Sequence, residues 1–210
     1  MILKTDNDEF LASFNKELSV SSTKFLSHFL RHPLQVGAVA PSSQRLAEQV
    51  LMPVDFPNAS VIVEYGPGTG VFSRLVINKM RKDSTFFAIE LDETLCRLLG
   101  NQVPELTVFQ GSAAEVAELL KKKGLTLADA IISGLPWACF SEQLQDEILH
   151  ATVSALRDGG KFSTFAYLQG LILPSGIRFR RKLKHFFSKV ELSPVVWSNL
   201  PPARVYWCTK

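Results

Sequence analysis

The chain has 210 residues, enough for one α/β domain with a well-filled core but too few for a second domain of comparable size. Hydrophobic residues make up 46% and charged residues 20% of the sequence, a balance typical of a soluble globular protein. The formal net charge of +3 is too small to predict a partner, and no segment approaches the ~18 apolar residues of a membrane-spanning helix, so any membrane contact would be peripheral.

The cysteines lie far apart and form no C-x-x-C pair (Cys96, Cys139, Cys208). This spacing indicates neither a disulfide framework nor a zinc site. It favours a reducing, cytoplasmic setting.

Residues 1–35 predict an amphipathic helical extension. Apolar residues recur there at helical spacing, and basic residues accompany them (Phe10, Phe14, Leu18, Phe25, Leu26, Phe29, Leu30; Lys16, Lys24, His28, Arg31, His32). The extension either covers the sheet or lies on an anionic lipid surface, and the sequence leaves both open. His28 and His32 stand four residues apart but have no third ligand nearby, so no metal site is predicted. Further on, Ser42 or Ser43 can cap the next helix, whose N-terminus would help to hold a ligand carboxylate.

A short β-branched run, Val61–Val63, is followed by Glu64 and by glycines at alternate positions (Gly66, Gly68, Gly70). This pattern predicts a buried strand, a tight turn and then a helix, the elbow at which nucleotide-type ligands bind. Val71 stands where the dinucleotide fingerprint needs a third glycine, and no Lys-Ser/Thr pair follows, so both phosphate-binding patterns are disfavoured. A carboxylate beside the turn suits a ligand with a positive charge, such as the ammonium of S-adenosylmethionine. The run resembles the E/D-x-G-x-G-x-G motif of class I methyltransferases.

Two further predicted strands each end at a candidate contact for the same ligand. Thr85–Glu90 places Glu90 where a carboxylate can accept both ribose hydroxyls, although Glu90 could instead cap the following helix. Leu106–Gln110 is followed by Ser112 and Ala113, which we expect at the adenine edge.

The predicted fourth strand ends in the loop Ser133-Gly134-Leu135-Pro136-Trp137. Such a loop is often a packed turn, but backbone carbonyls at a stiffened strand end can also orient an amine for methyl transfer. Ser133, Leu135 and Trp137 are therefore candidate catalytic residues, with Ser133 also a cofactor contact and Trp137 expected to stack on a base or contact a cationic amine. The loop is similar to the D/N-P-P-Y/F loop of amino-group methyltransferases. Ser133 in place of Asn or Asp argues against a planar base nitrogen and leaves an alkyl amine open.

The rest of the sequence predicts a helix from Ser141 to Leu156, a turn Arg157–Gly160, a fifth strand Lys161–Tyr167, a basic stretch Ile177–Lys189 and two closing strands, Val190–Val196 and Arg204–Cys208. The basic stretch is either a solvated helix face or a phosphate-binding surface formed by Arg178, Arg180 and Arg181. Seven strands with intervening helices predict a doubly wound, Rossmann-like α/β sheet of the class I methyltransferase type over residues 36–210.

Together with the basic amphipathic N-terminus and the Val36–Ser43 segment, these motifs resemble the bacterial phospholipid N-methyltransferases, a family similar to the ribosomal RNA adenine dimethyltransferases. The resemblance implies methylation of phosphatidylethanolamine or ornithine lipid by S-adenosylmethionine, with S-adenosylhomocysteine as product, by a protein bound peripherally at the cytoplasmic membrane face. It places the lipid phosphate on Arg178, Arg180 and Arg181. Tyr167 or water would accept the proton of the amine.

Two other functions are weighed against lipid methylation. One is an rRNA adenine N6-methyltransferase, disfavoured by Ser133 and by the lack of a C-terminal helical domain after the seventh strand. The other is a non-catalytic methyltransferase-fold module that binds membrane or protein, disfavoured by the intact glycines and glutamates. We therefore expect an anionic membrane surface and an aminolipid as partners, no nucleic acid, and a monomer.

Overall fold

The computed structural model describes residues 43–210. The predicted helical extension 1–35, with His28 and His32, and the predicted cap Ser42 lie outside these residues. The helices are α1 Gln44–Leu51, α2 Val71–Lys79, α3 Glu93–Gln102, α4 Val116–Lys122, α5 Glu142–Ala155, α6 Leu168–Ile172 and α7 Pro174–Phe186. The strands are β1 Val61–Tyr65, β2 Thr85–Glu90, β3 Thr107–Gln110, β4 Ala128–Ser133, β5 Leu156–Tyr167, β6 Lys189–Leu192 and β7 Ala203–Thr209.

The described strands form one sheet in the order β3-β2-β1-β4-β5-β7-β6. Strands β1 to β5 are parallel, and β7 runs antiparallel to both β5 and β6. The strand order reverses between β1 and β4, which is the topological switch point where doubly wound sheets bind ligands beyond the carboxyl ends of their strands. The predicted seven-stranded doubly wound sheet is confirmed.

The sheet carries a hydrophobic layer on each face because alternate residues of its strands point in opposite directions. On one face Ile62 packs with apolar residues of α1, α2 and α3. On the other face Val63 packs with those of α4, α5 and α7. All residues of β1 are buried, as expected for the central strand of a sheet covered on both sides.

Two element boundaries differ from the prediction. Strand β5 begins at Leu156, directly after α5, so the predicted turn Arg157–Gly160 lies within the strand, where its register with β4 shifts. Strand β6 ends at Leu192, because Pro194 cannot donate a ladder hydrogen bond. Within residues 43–210, no helix has the length and apolar character needed to cross a bilayer.

Candidate active site

The glycine loop after β1 needs glycine for two different reasons. Gly66, Gly68 and Gly70 all have positive φ, at 61°, 54° and 79°, a backbone conformation that residues with a Cβ atom rarely adopt. A Cβ at Gly66 would lie 2.8 Å from Leu135 Cδ2, so the β1 and β4 loops pack closely there. A Cβ on Gly68 would meet no described protein atom within 4 Å, which leaves that face of the loop open for a ligand.

Glu64 lies beneath this loop and is fully buried. Its Oε2 accepts a hydrogen bond from the hydroxyl of Ser73 on α2 at 2.6 Å, while Oε1 has no hydrogen-bond partner among the described residues. Burial raises the pKa of Glu64 to about 8, with a smaller contribution from the charge of Glu90. The predicted acidic contact is therefore buried and carries an unsatisfied oxygen, which a ligand donor or cation would satisfy.

The raised pKa of Glu64 should make the free energy of unfolding depend on pH. The folded protein holds the Glu64 proton up to about pH 8, whereas the unfolded chain releases it near the ordinary value of 4.5. Because the folded state binds more protons between these values, the free energy of unfolding should fall as pH rises through that interval. Denaturant titrations should show this fall in the native protein and a smaller fall in Glu64→Gln. Glu105→Gln, at an exposed carboxylate, is the control, and parallel pH curves for native protein and Glu64→Gln would contradict the prediction.

Glu90 stands at the carboxyl end of β2, two residues beyond Ala88, which is the residue of β2 that pairs with Glu64. Its Oε1 accepts the N–H groups of Leu91 at 2.8 Å and Asp92 at 3.1 Å. Its Oε2 is buried and, among the described residues, has no partner. Burial raises the pKa of Glu90, and the backbone N–H groups of Asp92, Leu91 and Gly68 partly offset this rise. The helix cap belongs to Asp92, whose carboxylate accepts Thr94 and Leu95 N–H, so one oxygen of Glu90 remains available for a diol.

A cavity of about 120 Å³ adjoins Glu90 at the carboxyl ends of β1 to β4. Its lining includes Gly66, Glu90, Ser112, Ala113 and Leu135, which brings five of the predicted site residues together. The lining also includes apolar side chains that no sequence motif singled out (Leu91, Phe140, Leu144, Ile148). A mostly apolar slot that ends at a carboxylate fits a flat base attached to a ribose.

Ser112 caps the short helical turn that follows it. Its hydroxyl accepts the Ala114 N–H and its N–H donates to Glu115 Oε2, which together form a capping box. Ser112 therefore shapes the cavity wall, and its N–H is already engaged.

The loop after β4 is built differently from the prediction. Ser133 is buried, and its Oγ accepts hydrogen bonds from Leu135 N–H at 3.3 Å and from Trp137 Nε1 at 3.1 Å. Pro136, with φ −82° and ψ 70°, closes an inverse γ-turn in which Trp137 N–H donates to the Leu135 carbonyl at 3.0 Å. The Ser133 hydroxyl thus fixes the loop and is not presented to a ligand.

Trp137 is a core residue in this structure, which corrects its predicted role. Only 2% of it is exposed, and its ring stacks on Phe179 of α7 at a centroid distance of 5.0 Å. The Phe162 and Phe140 rings meet it edge-on. Its ring is therefore enclosed by protein and cannot stack on a base or an amine without repacking.

Two other predicted positions lie at the margins of the site. Ser43 caps α1 by accepting the Leu46 N–H at 3.1 Å, and its own N–H donates to Asn199, before β7 at the same sheet edge as the glycine loop. Tyr167 ends β5, and burial raises the pKa of its phenol, so the group stays protonated at neutral pH and its base form is not populated.

The three arginines on α7 do not converge on one anion. Arg178 forms an ion pair with Glu142 at 3.0 Å. Arg180 lines a separate cleft with Arg204, and Arg181 is exposed. The predicted three-arginine phosphate site is therefore split, because Arg178 and Arg180 lie on opposite sides of the buried stripe of α7.

The chain is similar in sequence to a known lipid N-methyltransferase and in fold to solved methyltransferases. No family model matches the chain. It is 28% identical over 189 residues to an ornithine lipid N-methyltransferase of Singulisphaera acidiphila, a match that covers 88% of this chain and 93% of that protein. This similarity confirms the predicted resemblance to lipid N-methyltransferases.

Solved structures support the same fold. A TehB-like SAM-dependent methyltransferase of Corynebacterium glutamicum superposes with a TM-score of 0.58 at 16% identity, covering 90% of this chain and 98% of that one. The O-methyltransferase TomG of Streptomyces achromogenes, solved with SAM, superposes with a TM-score of 0.63 at 13% identity, covering 90% of each chain. At such identities the likeness establishes the fold, and it confirms a Rossmann-like methyltransferase sheet.

Proposed function

We propose that this chain, which has the class I methyltransferase fold, is an S-adenosylmethionine-dependent N-methyltransferase of the amine headgroup of a membrane aminolipid. The substrate class is ornithine lipid, or phosphatidylethanolamine and its methylated derivatives. The observation that carries the proposal is the pair of buried glutamates at the ends of β1 and β2, each with one oxygen that has no partner among the described residues.

These carboxylates suit the polar parts of the cofactor. Glu90 Oε2 can accept the ribose hydroxyls, and the adjoining apolar cavity can enclose adenine. A positive charge held near Glu64 would favour its ionised form and so lower a pKa that burial has raised to about 8. The open face at Gly68 lets the ligand approach the backbone closely. S-adenosylmethionine combines these groups in one molecule.

When bound, the cofactor supplies an electrophilic methyl group on its sulfonium. The contribution of the chain is positioning, because the loop Ser133–Trp137 is fixed by the Ser133 hydroxyl and the γ-turn, so its carbonyls keep their directions. The Leu135 carbonyl accepts one bond from Trp137 N–H and has a second lone pair for an amine N–H. Because the raised pKa keeps the Tyr167 phenol protonated at neutral pH, we propose water as the acceptor of the ammonium proton before transfer.

Two observations support a lipid substrate. The similarity to an ornithine lipid N-methyltransferase extends over 88% of this chain. In addition, Arg180 and Arg204 line a cleft whose other walls are largely apolar, which suits a molecule with an anionic group next to hydrocarbon. We propose that the enzyme acts at a membrane surface, bound peripherally at its cytoplasmic face.

The test is the product formed from a labelled cofactor. Purified protein should transfer methyl-labelled S-adenosylmethionine to vesicles that contain ornithine lipid or phosphatidylethanolamine, and mass spectrometry of the lipids should show which headgroup gains mass and how many methyl groups it gains. Glu90→Ala is the matched control, expected to lose transfer through loss of the ribose contact. Label in ribosomal RNA with none in either lipid would overturn the proposal.

A further inference from the structure

Exposed apolar side chains gather at one edge of the sheet. Among residues 43–210, eight large apolar side chains are exposed, and five of them belong to the α6–α7 junction or the β6–β7 loop (Ile172, Leu173, Ile177, Trp197, Leu200). Both segments lie at the carboxyl edge, because Ala203 pairs with Tyr167, the last residue of β5, and Leu168 N–H donates to the Pro202 carbonyl at 2.9 Å. We call these five residues the apolar rim.

A cleft of about 580 Å³ opens beside this rim, between α6 and α7 on one side and β6 and β7 on the other. Its apolar walls include Leu171, Ile172, Leu192 and Val195. Arg180 and Arg204 also line it, and neither guanidinium has an ion-pair partner in the described part of the chain. Arg204 Nε donates to the Ser193 carbonyl at 2.7 Å, and this hydrogen bond fixes the position of the Arg204 guanidinium.

The charge of the surrounding sequence is strongly one-sided. Residues 168–210 contain eight Lys and Arg but a single acidic residue, Glu191, which pairs with Lys189 at 2.9 Å. Arg178 and Lys182 are neutralised by Glu142 and Asp146 of α5. On α7, Arg180, Arg181 and Lys184 have no carboxylate partner among the described residues, and of these three Arg180 lines the cleft.

We infer that the Arg180–Arg204 cleft binds the phosphate of an anionic membrane phospholipid while the apolar rim enters the bilayer interface. Arginine forks match phosphate oxygens, and an exposed tryptophan beside aliphatic side chains is typical of the headgroup level of a membrane. Docking in this way turns the carboxyl edge of the sheet, where the candidate active site opens, toward the lipid. The inference deepens the proposed function and rests on it, but vesicle binding can be measured without methyl transfer.

Trp197 reports directly on the rim. It is 73% exposed, whereas Trp137 is 2% exposed and Trp207 is half-buried and donates to the Gln49 carbonyl. The full chain should show a blue-shifted emission with vesicles of phosphatidylcholine and phosphatidylglycerol, and brominated lipid should quench it. Trp197→Phe should remove both changes. If the native protein and Trp197→Phe show the same blue shift and the same quenching with these vesicles, the apolar rim does not enter the bilayer and the inference fails.

The cleft is tested by a charge-matched pair of double variants. Arg180→Ala with Arg204→Ala should weaken partitioning into the anionic vesicles on the order of 30-fold, at roughly fivefold per arginine. Lys121→Ala with Lys122→Ala removes the same charge from the exposed end of α4 and should change partitioning by only a few-fold. Equal losses in the two double variants would show unspecific attraction and would overturn the inference.

Further measurements distinguish a membrane phospholipid from other ligands of the cleft, and distinguish failure of this inference from failure of the proposed function. If soluble glycerol phosphate, at the concentration of the lipid phosphate, competes with vesicle binding, the cleft is a site for free phosphate. If the Trp197 emission shifts with rising protein concentration in the absence of vesicles, the apolar rim binds a second copy of the chain. Either result overturns the inference. Cleft-dependent vesicle binding without methyl transfer would uphold the inference and count against the proposed function. Normal lipid methylation with an unchanged KM in the double arginine variant would overturn the inference alone.

Discussion

The Gly68→Val variant is expected to lose measurable affinity for S-adenosylmethionine and S-adenosylhomocysteine. Gly68 has φ 54°, and no described protein atom lies within 4 Å of its Cβ direction, so a valine side chain would fill space that the protein leaves open. The ligand must approach this backbone closely, and a branched side chain would stand between them. Isothermal titration calorimetry with both ligands measures the loss directly.

Gly124→Val is the matched control for Gly68→Val. Gly124 has φ 72°, and a Cβ added there would likewise meet no described atom within 4 Å, but this glycine follows α4, away from the site. Both substitutions force a branched residue into the left-handed region, at a similar cost in stability on the order of 1–2 kcal/mol. Binding should survive in Gly124→Val. Retained affinity in Gly68→Val, or equal loss in both variants, would refute the placement of the cofactor at this loop.

Trp137→Ala is expected to lower the free energy of unfolding by about 3–5 kcal/mol, in the range of large-to-small substitutions in protein cores. The side chain is 2% exposed, stacks on Phe179 and donates to Ser133, so truncation leaves a cavity against α7 and removes one of the two hydrogen bonds that the Ser133 hydroxyl accepts. Denaturant unfolding followed by circular dichroism measures the change. Trp137→Phe keeps the aromatic packing and should cost less.

The control for Trp137 is the exposed tryptophan. Trp197→Ala should change the free energy of unfolding by no more than about 0.5 kcal/mol, because it removes no buried contact. A Trp137→Ala protein that keeps native stability and loses turnover alone would restore Trp137 to a role in substrate contact. Loss of stability with normal turnover in the folded fraction would confirm its place in the core.

Local sequence patterns were enough to predict the parts of the site that depend on backbone geometry. Alternating glycines after a β-branched run predict a strand-to-helix elbow, and all three glycines have the positive φ that such an elbow needs. Glu64 and Glu90 could be placed from their positions at the ends of two strands, because parallel strands align their carboxyl ends. The hydroxyl pattern before α1 also predicted a cap, and Ser43 provides it.

Which side chains meet, and which lose their contact with water, could be learned from the folded structure alone. Trp137 stacks on Phe179 and Arg180 shares a cleft with Arg204 because α7 folds back over the sheet and β7 inserts between β5 and β6, and no local pattern records those contacts. The raised pKa of Glu64 likewise comes from burial between β1 and α2. Backbone preferences act over a few neighbouring residues and can be deduced from the sequence, whereas packing and desolvation depend on partners that the chain brings together only when it folds.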